Sequence, residues 1–516
     1  MSRIPCLLFE DDDLLAVHKP PGIATHRVAP WAPEGLVEVL EGARPGVRLG
    51  IHQRLDRATS GVLFFAKSAR ANAALARQFE RREVRKTYLL ATAERDGGEA
   101  FDAKEPVDGK AARTRFCFER KLASGFSLWR AEPETGRTHQ VRRHAAAHGL
   151  HIVGEPSHDG VAALEEFSPP LLLHAWRLEI RHPATGAPLL LDAPLPPWFE
   201  VADPHLRRGQ AAAALRESLI AREESDAFRL VHREGDGFPR LTVDRLGDWL
   251  YAEDFSPNGL SDEELLAALP FARTARGLAC SRAGTSARRE AKRVVCGEPP
   301  PEELVVRENG LKFRLRPMAP GGIGLFFDQR ENRRRMRELA RGRKLLNLFA
   351  YTCAFSVAAA RGGAAETVSV DISRRALECG RENFRLNGLD AEAHRFLAWD
   401  AREAVRRLGA RGEKFHAIAL DPPSFGRSKA GGAFSVKRDF ATLAGEALIL
   451  LEPGGRLLAS TNFGGWGPRE FEQALRAGAK RAGIRIAAFE WAPQGFDYPA
   501  PRGAPAHLKA AWAQRE

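Results

Sequence analysis

Asp56 stands between two arginines in "RLDRATSGVLFFAKS", with Arg54 and Arg57 on either side and Thr59, Ser60 and Gly61 leading into an apolar run. A carboxylate flanked by guanidinium groups is held ionised and oriented, which is what a nucleophile or base needs at neutral pH. An isolated R-x-D-R is more simply an ion pair beside a turn, so the surrounding residues must decide. "RKTYLL" supplies Tyr88 in a strand pattern, and "PETGRTHQVRRHAAAHG" supplies Arg137 after a Thr-Gly turn, then a helix with Arg142, Arg143 and His144. "LLLHAWRLEI" adds His174 and Trp176. Singly, these read as a core tyrosine, a turn arginine and a satisfied buried histidine.

A second set of acids lies downstream. "LLNLFAYTCAFSVAAARGGA" reads as strand, turn and helix, and "VSVDIS" follows about twenty residues on, ending in Asp371. An acid at the tip of the second strand is where α/β nucleotide-binding folds hold a ribose. No G-x-G-x-x-G is present to seat a pyrophosphate, which favours S-adenosylmethionine over a dinucleotide. Asp400 in "LAWDA" is placed to meet the adenine amino group. Asp421 opens "DPPSF", a turn suited to holding a planar base; a merely structural Pro-Pro loop is the alternative.

These residues must be positioned by several domains, because 516 residues exceed one core. Residues 1–203 read as α+β, with strands such as "LLAVHKP" and "GVLFFAKS" alternating with helices such as "ARANAALARQF". Residues 204–226 read as a helical linker. Residues 227–305 read as a small β-rich module opening with two strands joined by a Gly-Asp-Gly turn. Residues 306–516 alternate short apolar strands with amphipathic helices, which predicts a doubly wound, Rossmann-like α/β domain.

The net charge is +12, from 78 Lys and Arg against 66 Asp and Glu, which suggests a polyanionic partner such as RNA. Two basic runs, Arg77–Tyr88 and Glu331–Lys344, are either phosphate tracks or solvated helix faces. The six cysteines are scattered, without C-x-x-C, so neither a zinc site nor a disulfide framework is expected and a reducing cytoplasm fits. No membrane span, signal peptide or metal site is expected.

The ordered motifs "DDDLLAVHKPPGI", "RLDRATSGVLFFAKS", "RKTYL", "TGRTHQVRRH" and "LLLHAWRL" resemble the RluA family of pseudouridine synthases over residues 6–200. The resemblance implies Asp56 as the catalytic carboxylate, Arg137 as its ionic partner, Tyr88 stacking on the base and Arg54 helping to open the RNA. It implies no cofactor. No S4-type RNA-binding module is expected ahead of the first strand, because the sequence opens almost at that strand. Gln53 departs from the family's usual histidine.

Residues 226–512 resemble the RlmI and RlmK types of ribosomal RNA methyltransferase, through "FRLVHREGDGFPRLTVDRLGD", "GIGLFFDQRENRR", "NLFAYTCAFSVAAARGGA", "ALDPPSFGRSK" and "VKRDFATL". This resemblance implies an S-adenosylmethionine site formed by Asp328, Gln329, Arg330, Asn332, Asn347, Phe349, Tyr351, Thr352, Asp371, Ile372, Asn387 and Asp400. The base would lie against Asp421, Pro422, Pro423, Phe425 and Asn462. Cytosine-5 methylation needs a cysteine thiolate, and the RlmI pattern has one after the strand where this chain reads Ser460, Thr461, Asn462. The RlmK type, acting at guanine nitrogen-7, fits better. Cys353-Ala354 stands where relatives often have glycine, at a cost of roughly 1–2 kcal/mol if that turn needs positive φ. The expected partner is large-subunit ribosomal RNA. Cytosine carbon-5 as target, transfer RNA as substrate, and a decayed RNA-binding assembly factor are the alternatives.

Overall fold

The structure, a computed structural model, describes residues 4–93, 98–155, 170–282, 292–427, 433–501, 504 and 506–516. Ser428 and Lys429 of the Asp-Pro-Pro stretch lie outside the described residues.

The N-terminal unit is a mixed sheet, ten-stranded among the described residues. Its spine runs Leu7–Glu10, Leu14–Lys19, Ser60–Ala66, Leu173–Arg181, Arg85–Thr92, Ser127–Pro133, Thr114–Lys121 and Phe101–Ala103. Ser60–Ala66 is wholly buried, which accounts for its unbroken apolar run. It meets Leu173–Arg181 in parallel through Ser60↔His174 and Gly61↔Ala175. A Cβ on Gly61 would lie 2.2 Å from the Ala175 carbonyl oxygen, and its φ of +125° excludes other residues, so this glycine fixes the crossing just past the Asp56 loop.

The segment 204–226 is more than a linker. Asp203 caps the helix Pro204–Glu217 by accepting from Leu206 N at 2.7 Å. Leu215 of that helix joins Leu15, Val17, Leu63 and Phe65 of the N-terminal sheet and Val243, Leu250 and Leu278 of the middle module in one continuous core. Two sequence expectations change accordingly. "FRLVHREGDGFPRLTVDRLGDWLYAEDF" makes three strands, Ala227–His232, Leu241–Leu246 and Trp249–Asp254, because Gly247 turns the chain again. These belong to a five-stranded sheet completed by Gly277–Arg282 and Arg293–Gly297. A boundary at 305 would cut the strand Leu304–Glu308, which pairs with Leu311–Leu315 and packs with the C-terminal domain through Val306, Phe313 and Leu315.

The C-terminal sheet has seven strands among the described residues. Five run parallel, ordered Arg395–Leu397, Glu366–Val370, Lys344–Leu348, Phe415–Leu420, Leu451–Thr461. Lys509–Arg515 then inserts antiparallel between Leu451–Thr461 and Ile486–Trp491. Reversal of strand order on either side of Lys344–Leu348 places a ligand crevice at its carboxyl end.

Candidate active sites

Asp56 sits in a loop pinned from below. Thr25 Oγ1 donates to the Leu55 carbonyl at 3.1 Å, and Gly22 N donates to the Arg57 carbonyl at 2.8 Å. The Lys19 ammonium, wholly buried, donates to the carbonyls of Pro20 (2.9 Å), Thr59 (2.8 Å) and Arg57 (3.3 Å). Burial pulls its pKa down to about 7, opposed by the Asp56 carboxylate. "VHKPP" therefore supplies the floor of the loop, a role the lysine's sequence context did not reveal.

Above this floor opens a cavity of 660 Å³, lined by Arg54, Asp56, Lys86, Tyr88, Arg137 and Arg142 among others. Tyr88, from the strand Arg85–Thr92, has its phenol pushed up to about 12, by burial first and then by the Asp56 carboxylate. It is a neutral phenol at physiological pH. Nδ1 of His26, Nε2 of His52 and Nε2 of Gln53 are buried at this wall without protein partners. Such orphaned groups suit a polar ligand.

The partner of Asp56 is Arg142, not Arg137. Arg142 Nη1 donates to Asp56 Oδ2 at 2.8 Å, and its Nε donates to Glu155 Oε2 at 2.7 Å. Its Nη2 also pairs with Glu155. His139 Nε2 lies 3.5 Å from Asp56 Oδ1. Arg137 lines the same cavity, but its Nε reaches the Ala111 carbonyl at 3.4 Å. The reason is helical register. The helix Gln140–Ala147 begins after Arg137, and His139 and Arg142 stand three apart on the side facing Asp56. That spacing in "RTHQVRRH" was the signal available for Arg142. His174 is a satisfied buried residue, between Ser60 Oγ (2.9 Å) and the Ala193 carbonyl (3.1 Å).

The second site lies at the carboxyl edge of the parallel sheet. Asp371, ending Glu366–Val370, accepts from Tyr351 N at 2.9 Å and Ser373 N at 2.8 Å. Between them runs a turn in which Phe349, Tyr351 and Cys353 all have positive φ, 60°, 47° and 61°. The turn does hold residue 353 in the left-handed region, and a cysteine occupies it. Asp400 caps the helix Ala401–Ala410 through Arg402 N at 2.9 Å.

Asp421 anchors a buried polar chain. Ser460 Oγ donates to Asp421 Oδ1 at 2.5 Å, Gln329 Nε2 to Ser460 Oγ at 3.0 Å, and Asn332 Nδ2 to Gln329 Oε1 at 2.7 Å. Burial raises the Asp421 pKa. Asp328 beside it is pushed up to about 7, by burial first and then by the Asp421 charge. Ser424 Oγ donates to Asn462 Oδ1 at 2.9 Å, and the exposed Phe425 meets Phe463 edge-to-face at 6.1 Å. Asp328, Tyr351 and Asn462 open into a second cavity, of 710 Å³.

The model of S-adenosylmethionine-dependent methyltransferases matches residues 266–489, and that of RNA pseudouridylate synthases matches residues 13–147. The "Ribosomal RNA large subunit methyltransferase I" of Aeromonas salmonicida is 34% identical over 301 residues, 57% of this chain and 75% of that protein. The "Ribosomal RNA large subunit methyltransferase" of Deinococcus radiodurans is 34% identical over 349 residues, 66% and 83% respectively. Among solved structures, SMU.776, a methyltransferase by assignment and bound to SAH, superposes with a TM-score of 0.54 at 26% identity, covering 60% of this chain and 80% of that one.

This chain belongs to the S-adenosylmethionine-dependent methyltransferase family. It is an enzyme in two parts, with an RNA pseudouridylate synthase unit ahead of the methyltransferase. The methyltransferase edge fits its donor. Asp371 spends one hydrogen bond per oxygen on the turn and keeps lone pairs for a diol, and Ile372 beside it is an exposed apolar side chain.

Six residues expected at that donor site make side-chain contacts elsewhere. Arg330 is buried in a two-pronged pair with Asp497, at 2.8 and 2.9 Å, tying the "FDQR" turn to the loop around Asp497. Asn347 faces the sheet–helix interior, where its Nδ2 donates to Ser356 Oγ at 3.1 Å. Asn387 ends the helix Arg374–Leu386, far from the strand tips. It brackets Lys312, accepting from its N at 2.9 Å and donating to its carbonyl at 2.7 Å. Gln329 and Asn332 act in the chain behind Asp421. Thr352 Oγ1 donates to the Gly324 carbonyl at 2.6 Å, holding the loop that leads to "FDQR".

In the basic run Glu331–Lys344 the helix arginines Arg333, Arg334 and Arg335 are engaged in ion pairs, while Arg341 and Arg343 beyond the helix are exposed. Arg333 pairs with Glu308 (2.6 Å), Arg334 with Glu331 and Glu338, and Arg335 with Glu490. In the other run, Phe79 and Lys86 line the Asp56 cavity. Among the described residues no helix is long and apolar enough to cross a membrane, and no cluster of three metal-ligating side chains occurs.

Proposed function

We propose that this chain modifies large-subunit ribosomal RNA twice, isomerising a uridine to pseudouridine and methylating a guanine at nitrogen-7. The observation that carries the first half is the Asp56 carboxylate, fixed by Arg142 on a pinned loop and facing Tyr88 across a base-sized cavity. Asp56 acts as the nucleophile or base, Arg142 positions it, and Tyr88 takes the base against its ring. Arg54 and Arg137, at the same wall, grip the RNA as the target leaves its stack at a cost of a few kcal/mol. The net charge of +12 and the names of the two relatives above support ribosomal RNA as the substrate.

In the methyltransferase half, Asp371 takes the ribose hydroxyls of S-adenosylmethionine, Ile372 the adenine face and Asp400 its amino group, with Phe349 and Tyr351 from the intervening turn. When bound, S-adenosylmethionine supplies an electrophilic methyl group. Asp421, Pro422, Pro423, Phe425 and Asn462 hold the acceptor base. Nitrogen-7 is supported by the cysteines. Cys6 and Cys353 are buried and pushed up to about 12, Cys280 to about 11, and among the described residues no cysteine lines either cavity. A covalent route through carbon-5 has no thiolate to use. Nitrogen-7 already bears a lone pair, so alignment suffices.

Ribosomal RNA from a strain lacking the gene, mapped by mass spectrometry, is expected to lose one pseudouridine and one 7-methylguanosine. The wild-type gene restores both, and Asp56→Asn restores the methyl group alone. Loss of 5-methylcytosine in place of 7-methylguanosine overturns the guanine reading.

A further inference from the structure

The five-stranded middle sheet has two unlike faces. One carries Val243, Leu250, Ala252, Leu278 and Cys280 into the shared core. On the other, strand register aligns His232↔Thr242↔Glu253↔Ser281 and Arg229↔Asp244↔Tyr251. A bulge between Arg229 and Val231 brings Arg229 and His232 onto that same side. All seven of these polar side chains line the 710 Å³ cavity shared with Asp328, Tyr351 and Asn462. The polar face of this module is thus the floor of the methyltransferase cavity.

Most of the floor is internally paired. Arg229 Nε holds Asp244 at 2.5 Å, and Lys292 donates to the Pro317 carbonyl at 2.8 Å. Two groups are not. Thr242 is 1% exposed, and its Oγ1 has no partner. Arg233 makes no side-chain hydrogen bond among the described residues; its buried Nε is unpaired, and its guanidinium lies 3.9 Å from the centre of the Phe255 ring. The rest of "HREGDGFP" is explained by structure. Asp236 accepts from Arg216 at 2.7 and 2.8 Å, Glu234 accepts from Arg240 N at 3.1 Å, and a Cβ on Gly235 would lie 1.9 Å from the Pro499 carbonyl oxygen. Arg233 alone is left over, at a φ of 47° that side-chain-bearing residues rarely adopt.

We propose that this floor recognises the base of the RNA nucleotide to be methylated, with Arg233 and Thr242 meeting its hydrogen-bonding edge. The proposal rests on the reading above that the acceptor is an RNA base, not on which atom is methylated. Stacking on Phe255 orients the Arg233 fork toward the cavity. Arg233 donates, the Thr242 hydroxyl donates or accepts, and Glu253, directly across from Thr242, accepts. A mixed edge of this kind matches a nucleobase, whereas the carboxylate would repel a phosphate. Buried groups left unpaired by a wrong base also discriminate strongly against it.

The test uses the full chain, tritiated S-adenosylmethionine, and bulk ribosomal and transfer RNA from a strain lacking the gene. Arg233→Ala and Thr242→Val are each expected to lower kcat/KM for methyl transfer at least tenfold. S-adenosylmethionine affinity by calorimetry and pseudouridine formation by tritium release stay at wild-type values, which shows that both variants fold. The slope of log kcat/KM against log salt is expected to be unchanged. Wild-type methyl transfer in both variants overturns the proposal. So does a loss in Arg233→Ala accompanied by a salt slope smaller by about one, which marks a phosphate contact. The proposed function fails separately, if the product mapped from the same reaction is not 7-methylguanosine.

Discussion

Replacing Arg142 by methionine separates its two jobs. Arg142 and Glu155 have side chains only 10% and 11% exposed, so removing the guanidinium strands a buried carboxylate. Breaking a buried pair from one side costs about 3–5 kcal/mol of stability. The second loss is functional. The 2.8 Å bond to Asp56 is charge-assisted, and such a bond is worth about 1.5–3 kcal/mol, or roughly ten- to 150-fold in turnover. The double variant Arg142→Met, Glu155→Leu removes both buried charges, so most of the stability returns while turnover stays low. Arg142→Lys keeps the charge but cannot span Asp56 and Glu155 at once, and falls between. Stability is read by urea unfolding and turnover by tritium release from RNA labelled at uridine carbon-5. Arg137→Ala is the comparison, because Arg137 has no bond to Asp56: losing its grip on RNA is expected to raise KM and to leave kcat at saturating RNA near wild type. If Arg137→Ala loses as much kcat as Arg142→Met, or if the double variant recovers wild-type kcat, the assignment of Arg142 as the positioning residue is wrong.

Asp371→Ala is expected to weaken S-adenosylmethionine by about 1.5–3 kcal/mol in calorimetry, with pseudouridine formation unchanged; unchanged donor affinity removes Asp371 from the ribose site. Asn387→Ala is expected to leave donor affinity intact and to lower the thermal midpoint, since it severs two bonds to Lys312; weakened donor binding would return Asn387 to the donor site. Asp328 carries a pKa raised to about 7, so it binds a proton in the folded chain that the unfolded chain releases near its ordinary value of 3.8. Its contribution to stability is therefore full below that value and lost as pH rises through about 7. Donor binding runs the other way, because the carboxylate attracts the cationic donor only once ionised. S-adenosylmethionine affinity should fall as pH drops below about 7, and Asp328→Asn should flatten that dependence; a profile with the same inflection in the variant refutes it.

Local pattern was enough to read the strands and helices that hold each site. The wholly buried Ser60–Ala66 announces itself by an unbroken apolar run, and the strands ending at Leu348, Val370 and Leu420 by regular alternation with amphipathic helices. Asp56, Tyr88 and Asp371 were legible because each stands at a fixed offset from a strand end, and strand geometry carries that offset into space. Arg142 replaced Arg137 because the choice depends on where a helix starts, and a shift of a few residues there turns a side chain to another face. Asn347, Arg330 and Asn387 look like ligands in sequence because polar side chains close to a binding motif have the same composition whether they meet a donor or a backbone. Only the tertiary structure shows their side chains packed against Ser356, Asp497 and Lys312. The strand Lys509–Arg515 and the continuous core joining the two enzymes depend on contacts between residues far apart in the chain. So does the unpaired Arg233, whose meaning comes from the bond Asp236 makes with Arg216 and from the close packing of Gly235 on Pro499. Burial and partnership are properties of the folded chain, and no periodicity in the sequence encodes them.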